Sequence, residues 1–529
     1  MVGFWMIKSC ILIFHGAAVF WLGTFVLVCP IFALGQTLSL NIENFEVDGP
    51  NPFSDRYTRK LLDPYLGKHD SIEPVQQAAS ALESALRDAG YAFYITAVPP
   101  QPITATTIKL RITAFPIREI IVSGNSHFSE ENILRSVPAL KVDESPNTKD
   151  ISRSLRVANV HPRKRLKLRF AAADDNSGVP AQITVRDAKP VSLFLWANNT
   201  GTEDSGENRV GVGVQHGNIF NRDHVGIATW TTSPDQDADV SQFGLNYQIP
   251  LYRAGGLLSI LAARSDIDTG IVAEVFNVAG KGDAYAVQYT QLFPKVGRYQ
   301  HQLSVGMEDK LFDNDIDFEG SPIGVDVRSR PGLMRYVGSH SSDRTDLELN
   351  AGYFHNINSG SFNNDEDYAA SRSGADSNWQ LVRLGAALQT RFGGWTLYLR
   401  TDGQYTDEPL ISGEQFGLTG VDAVRGFQER ELTSDRGYFG TLQIWTPTWR
   451  NVQFIVFVDG ASGRIIDPLP GQLARETVSS AGAGVRWSWR KYLALSLYWA
   501  NVIDGASPLG PGTTRDGDDR IHFSLVMSY

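Results

Sequence analysis

The sequence predicts an all-β transmembrane barrel of about sixteen antiparallel strands, preceded by two α+β modules. Three observations carry this expectation. From Val191 to Tyr529 apolar and polar residues alternate in short runs separated by turn-rich stretches. Upstream, a strand–helix–helix–strand–strand order occurs twice, and the first stretch of the chain reads as an export signal. The composition agrees: 49 Gly, 11 Trp and 18 Tyr beside 2 Cys in 529 residues describe a β-rich exported chain. A formal charge of −10 argues against a protein built to neutralise nucleic-acid phosphates. The mean hydropathy of −0.18 argues against a bundle of membrane helices. It does not argue against a barrel, because a lipid-crossing strand needs only ~9–11 residues with every second one polar.

Residues 1–35 carry one charge, Lys8, then apolar runs at Ile11–Phe14, Val19–Trp21 and Phe25–Val28, and end on Ala33-Leu34-Gly35. A cation, an apolar run and a small-x-small site are the features of a cleavable secretory signal. Cys10 and Cys29 both lie in it, so the processed chain is expected to lack disulfides and thiolate metal sites.

The first module is expected over residues 38–115. It reads as a strand (Leu38–Val47), a short helix (Ser54–Leu62), a longer helix (Val75–Ala89) with Ala79, Leu82 and Leu86 on one face, and strands Tyr91–Val98 and Thr107–Thr113. Gly90 is placed to end the longer helix. The second module, 116–189, repeats the order from strand Ile117–Val122 through helices at Ser129–Val137 and Thr148–Val157 to strands at Leu166–Phe170 and Ala181–Val185. The repeat, with Ile120-Ile121-Val122-Ser123-Gly124-Asn125 as an opening strand and turn, resembles tandem POTRA domains of the Omp85 superfamily. Arg163, Arg165, Lys167 and Arg169 alternate with apolar residues and Lys164, a pattern that makes one strand face basic. Such a strand suits docking of an unfolded client by strand addition, and equally suits a merely solvated face.

The barrel is expected over residues 190–529. Large residues hold every second place in Phe243, Leu245, Tyr247, Ile249, in Val382, Leu384, in Trp395, Leu397, Leu399 and in Leu493, Leu495, Leu497. Trp379, Trp395, Trp445, Trp487, Trp489 and Trp499 are the expected interfacial girdle. The segment ending in Phe523, Leu525, Met527 and Tyr529 resembles the C-terminal assembly signal of outer-membrane proteins. No helix is expected here, and Asn356–Asn378 reads as an extracellular loop.

One stretch is more specific. Gly413 to Phe427 (GEQFGLTGVDAVRGF) resembles the signature of two-partner secretion outer-membrane transporters (TpsB, of the ShlB/FhaC/HecB type). The resemblance implies that the loop around 411–437 folds into the barrel with Val424, Arg425, Gly426 and Phe427 at its tip. It further implies that a Phe-x-Asp strand, here Phe457 and Asp459, meets the arginine. The family usually continues Asp-x-Gly; here the next glycines are Gly460 and Gly463. Trp196–Gly201, Asn218–Asp223 and Tyr247–Leu251 are similar to its first hairpins. From Gln36 to the first module little length remains for a plug helix.

The resemblance implies a pore that recognises an unfolded TpsA-like exoprotein in the periplasm and passes it to the surface. Outer-membrane lipid, the barrel assembly machinery and periplasmic chaperones are the further partners implied, with no nucleic acid and no cofactor. An assembly factor that inserts other barrels is the alternative, and a passive porin a third class. Enzyme readings fare poorly. Gly211, Gly213 and Gly217 have the wrong spacing for a dinucleotide loop, His216 and His224 lack a local third metal ligand, and no nucleophile elbow is present.

Overall fold

The computed structural model describes residues 40–102, 104–171, 178–202, 205–235, 240–266, 270–272, 276–278, 281–313, 317–318, 321–322, 325–508, 510 and 512–529. The expected signal and the short stretch from Gln36 to the first module, where no plug helix is expected, lie outside them.

The first module comprises β1 (Leu40–Ile42), β2 (Asn44–Asp48), α1 (Asp55–Leu62), β3 (Gly67–His69), α2 (Glu73–Asp88), β4 (Tyr94–Ala97) and β5 (Thr107–Ala114). The single strand expected over 38–47 is broken at Glu43, since β1 pairs with β3 whereas β2 runs parallel to β5. Helix α2 starts with Pro74 in its first turn, where a missing N–H costs nothing, and buries Val75, Ala79, Leu82 and Leu86 against β5. Gly90 closes it at φ +100, a left-handed backbone that glycine adopts without a Cβ clash.

The second module comprises β6 (Ile117–Ser123), α3 (Glu130–Arg135), α4 (Thr148–Val160), β7 (Lys164–Phe170) and β8 (Val179–Asp187), with sheet order β6-β8-β7. Asn147 caps α4 through Lys149 N and also donates to Ala89 O at 3.0 Å, which ties the two modules together.

Sixteen barrel strands follow. They are β9 (Val191–Asn198), β10 (Arg209–Ile219), β11 (His224–Thr232), β12 (Gln242–Leu251), β13 (Gly256–Ser265), β14 (Gly282–Leu292), β15 (Tyr299–Phe312) and β16 (Val327–Ser329 with Pro331–Ser341). Then come β17 (Thr345–Asn356), β18 (Gln380–Phe392), β19 (Trp395–Tyr405), β20 (Arg436–Trp445), β21 (Val452–Arg464), β22 (Arg475–Trp489), β23 (Leu493–Asp504) and β24 (Asp519–Ser528). β24 pairs with β9 over 524–528, and Tyr529 N donates to Leu193 O at 2.8 Å. Closure leaves no open edge, which lipid would not tolerate. Phe243, Leu245, Leu384, Leu399, Leu497, Ile521 and Met527 point outward as exposed side chains, so the alternation sets the lipid face. Among the described residues no helix is long and apolar enough to cross a membrane. Gly211 and Gly213 are strand glycines: a Cβ on either would run into Trp196 or Phe194 of β9.

Two expectations need correction. The 357–379 loop contains a short helix, α5 (Asp365–Ser371), whose Tyr368 packs with Trp379, Phe312, Leu410 and Ile411 in a buried apolar cluster. Trp379 is therefore fully buried, donating its indole N–H to Tyr368 Oη at 3.1 Å, and is not a girdle residue. Trp445 is half-buried on the inner wall, stacked on Tyr398. Trp379 departs because the alternation does not report what a loop covers, and Trp445 because it shares the inward parity of Thr441 and Gln443 on β20.

The second module is seated on the barrel. Tyr252, Leu257 and Leu292 from the short-turn end join its core. At the centre of the joint Lys164 Nζ lies 2.6 Å from Asp223 Oδ2, both side chains almost wholly buried. Asn132 Oδ1 and Ser136 Oγ also accept from Lys164, and the Tyr252 hydroxyl donates to Asp223. Burial lowers the Lys164 pKa; burial also works to raise that of Asp223, yet the ammonium and hydroxyl donors hold the carboxyl below its usual range.

His161 sits beside this pair. It accepts from Arg163 N at Nδ1 and donates from Nε2 to Gly217 O at 2.5 Å, an arrangement only the neutral imidazole can make. Burial holds its pKa down. A depressed histidine favours folding above its unfolded value of ~6.5, and that share is lost as pH falls below ~6.5 toward the folded value. The protection of the Arg163 amide against hydrogen exchange, taken relative to the intrinsic rate at each pH, should thus fall between neutral and mildly acidic pH, and a His161→Asn variant should lose that dependence.

Candidate functional site

The segment 406–435 between β19 and β20 leaves the outer rim and turns into the lumen. It holds itself together first. Phe416–Gly417 pairs with Thr433–Ser434, Leu418 N donates to Leu432 O at 2.9 Å, and Glu429 accepts from Val421 N at 3.1 Å. Its apolar side chains Leu418, Val424, Phe427 and Leu432 form a buried cluster with Phe439, Ala461, Val478 and Val502 of the barrel wall. Gly463 has a functional reason for its lack of a side chain, because a Cβ there would collide with Leu418 of the loop.

Arg425 is at the tip, 3% exposed. Its Nε and Nη2 donate to the two oxygens of Asp459, each at 2.7 Å, and its own backbone N–H donates to Asp459 Oδ2 at 3.2 Å. Nη2 reaches Thr441 Oγ1 at 2.9 Å, and the guanidinium lies 3.4 Å above the Phe457 ring. A planar fork meeting a carboxylate while stacked on an aromatic face is geometry that lysine cannot reproduce. Phe457 and Asp459 face inward while Phe454, Val456 and Val458 on the same strand are exposed outward. Strand β21 continues unbroken through Gly460 to Arg464.

Gly426 has φ +100, and a Cβ there would press to 3.0 Å from Val502 Cγ2. Its N–H donates to His522 Nε2 at 2.9 Å, so His522 is neutral with its proton on Nδ1. His522 occupies the inward parity of β24, opposite to Phe523, Leu525, Met527 and Tyr529.

The loop has two more anchors, neither of which the sequence revealed. Glu414, 2% exposed, accepts from Lys310 Nζ and from Ser329 Oγ, both at 2.6 Å, on the wall made by β15 and β16. Arg383 of β18 stands 3.9 Å away. The tip binds β20, β21 and β24, so the loop spans the lumen between two walls. At its outer base the fully buried Asp435 accepts from Leu410 N, Gln415 Nε2 and Ile466 N at 3.0, 3.1 and 2.7 Å and pairs with Arg372 just after α5. These partners are distant in sequence and carry no spacing signal.

A Glu414→Gln change keeps the shape but removes one carboxylate from Lys310, with Glu308 left as its partner at 3.1 Å. Hydrogen bonds to charged groups contribute ~1.5–3 kcal/mol, so the stem should loosen while the tip stays docked. Planar-bilayer recordings should show several-fold more frequent channel openings than wild type, and identical recordings would exclude a closing role for Glu414.

The cationic strand β7 sits at a sheet edge. Arg165, Lys167 and Arg169 are exposed, and Arg163 is half-buried and bound to Lys189 O at 2.7 Å. Lys164 takes the opposite face and is the buried partner of Asp223. His216 and His224 are engaged locally, with Asn218 N and the Tyr247 hydroxyl respectively. Among the described residues no group of His, Cys, Asp and Glu is arranged to hold a metal ion.

Residues 179–486 match the family described as haemolysin secretion/activation protein ShlB/FhaC/HecB, and residues 40–114 match the ShlB-type POTRA domain. The haem/hemopexin transporter protein HuxB of Haemophilus influenzae is 19% identical over 392 residues, 72% of this chain and 67% of that protein. Among solved structures, CdiB from Escherichia coli superposes with a TM-score of 0.67 at 14% identity, covering 95% of this chain and 93% of that one. CdiB from Acinetobacter baumannii gives 0.65 at 15% identity over 93% and 90%.

Proposed function

The chain belongs to the ShlB/FhaC/HecB haemolysin secretion/activation family, and from that premise we propose that the loop held by Arg425 and Asp459 is the gate through which its exoprotein partner is released. The protein is an outer-membrane β-barrel pore of two-partner secretion, with its POTRA modules in the periplasm and a TpsA-type exoprotein as the kind of partner its family serves. The single observation that carries the gate reading is the strap itself. It crosses the lumen between Lys310 on one wall and Asp459 on the other, so a polypeptide can pass only when one of these attachments yields.

In this reading the modules capture the unfolded client, with the free edge of β7 and its cations Arg165, Lys167 and Arg169 as one docking strand. Arg163 contributes less, being tied to Lys189. Phe523, Leu525, Met527 and Tyr529 present the outward face that the barrel assembly machinery would recognise after chaperone delivery, and that face then meets lipid. The chain moves its cargo to the surface, in keeping with a secretion/activation family of transporters, and activation of the client can accompany release. Folding of the client outside the cell supplies the driving force.

Depleting the protein and measuring both the released exoprotein and the abundance of other outer-membrane barrels tests this function. Secretion should stop while the other barrels stay at their normal levels. A general fall in barrel abundance would instead support an assembly factor.

A further inference from the structure

Where α4 crosses the short-turn end of the barrel, a cleft of about 1040 Å³ opens beside it. One side is α4, with Lys149, Arg153 and Arg156; the other is the turn after β14, with Phe293 and Lys295, and the inner faces of β15 to β17, with Gln302, Val337 and Glu348. Glu348 lies on the same parity of β17 as the inward Phe354, and Val337 on that of the inward Arg335, so the far wall of this cleft is the lumen itself. The place thus joins the module to the pore.

Its charge is unusual for this molecule. In a chain of net charge −10, four cations face this space beside one lining carboxylate, Glu348. Arg153 is engaged with Asp150 at 2.9 Å, but Arg156 keeps its Nε shielded from solvent with no hydrogen-bond partner. A shielded guanidinium N–H without an acceptor is costly, and a carboxylate or carbonyl arriving in the cleft would satisfy it. The apolar surface of Leu155, Leu292, Phe293 and Val337 gives a chain passing through something to lie against.

We infer that this cleft is the mouth through which the client leaves the second module for the lumen, and that it selects extended polypeptide segments carrying Asp or Glu. The inference rests on the transport reading above. It adds a location separate from the β7 edge and a charge class for the cargo.

Fluorescence anisotropy on the full chain purified in detergent micelles tests it, using three short unfolded peptides: one rich in Asp and Glu, one rich in Lys and Arg, and one of Ser, Gly and Asn. The acidic peptide should bind about tenfold more tightly than either other, and high salt should erase the difference. Arg153→Glu combined with Arg156→Glu should abolish the preference, whereas Arg59→Glu with Lys60→Glu on the exposed face of α1 should leave it intact. Heat-modifiable gel mobility reports that each variant is folded. Equal binding of the three peptides, or a preference that survives Arg153→Glu with Arg156→Glu, would overturn the inference. Exoprotein release by the wild-type chain is scored separately: if release occurs without an acidic preference the mouth is wrong, and if the preference exists without release the transport reading is wrong.

Discussion

Replacing Arg425 by alanine is expected to cut exoprotein release by more than about tenfold while barrel abundance stays normal. A loop that passes ions but has lost its tip anchor no longer moves between defined docked and open positions, and it obstructs the lumen the client must cross. Asp459 is buried and takes three of its donors from Arg425, two from the guanidinium and one from the backbone N–H. Truncating the side chain leaves that carboxylate in a confined site without its countercharge, which costs ~3–5 kcal/mol for buried pairs. At ~1.4 kcal/mol per factor of ten, this shifts the docked-to-undocked ratio of the loop by a hundredfold or more. Arg425→Lys should recover only part of the function, since an ammonium can neither fork across both oxygens nor stack on Phe457. The measurements are exoprotein in the medium, barrel in the membrane and single-channel conductance, which should rise as the strap loses its tip. Wild-type secretion from a well-expressed Arg425→Ala protein would remove Arg425 from the mechanism. A charge-swapped pair, Arg425→Asp with Asp459→Arg, tests the contact itself, and partial rescue over either single change is the expected result.

The second large effect is expected at the module–barrel joint. Asp223→Ala strands the Lys164 ammonium among Asn132 and Ser136 with no carboxylate, again a loss of ~3–5 kcal/mol if the seat is kept. The module can avoid that cost by lifting away from the turns that hold Asp223 and Tyr252. Limited proteolysis should then cut between β8 and β9 faster than in wild type. Removing both charges together, Lys164→Met with Asp223→Leu, should restore much of the resistance, because an apolar pair of similar volume needs no desolvation of ions. A double variant as labile as Asp223→Ala would mean that the pair does more than avoid an unpaired charge. Secretion by the single and double variants would show whether a fixed second module is needed for transport.

Much of this architecture is legible in the sequence because side-chain direction in a strand repeats every two residues. Parity alone placed Phe457 and Asp459 on one face of β21 and Phe454, Val456 and Val458 on the other. The helical spacing of Ala79, Leu82 and Leu86 likewise located α2 and the face it buries. Parity says nothing of what covers a face. Trp379, expected at the lipid boundary, is sealed under the α5 cap, whereas Trp445, expected there too, lies on the inner wall because it shares the parity of Thr441 and Gln443.

What the chain determined by itself is local: which segments are strands, which residues point inward, and where a loop motif similar to that of a secretion family stands. What only the tertiary structure decided is which inward-facing charges meet. Lys164 and Asp223 are on different domains, Glu414 reaches Lys310 across the pore, and Arg372 finds Asp435 above it. Each of these partnerships depends on the stagger of sixteen strands around a closed ring and on how far a loop folds back. Such distances are sums over many residues, so no short pattern encodes them, and a buried charge remains unassigned until closure brings its partner within reach.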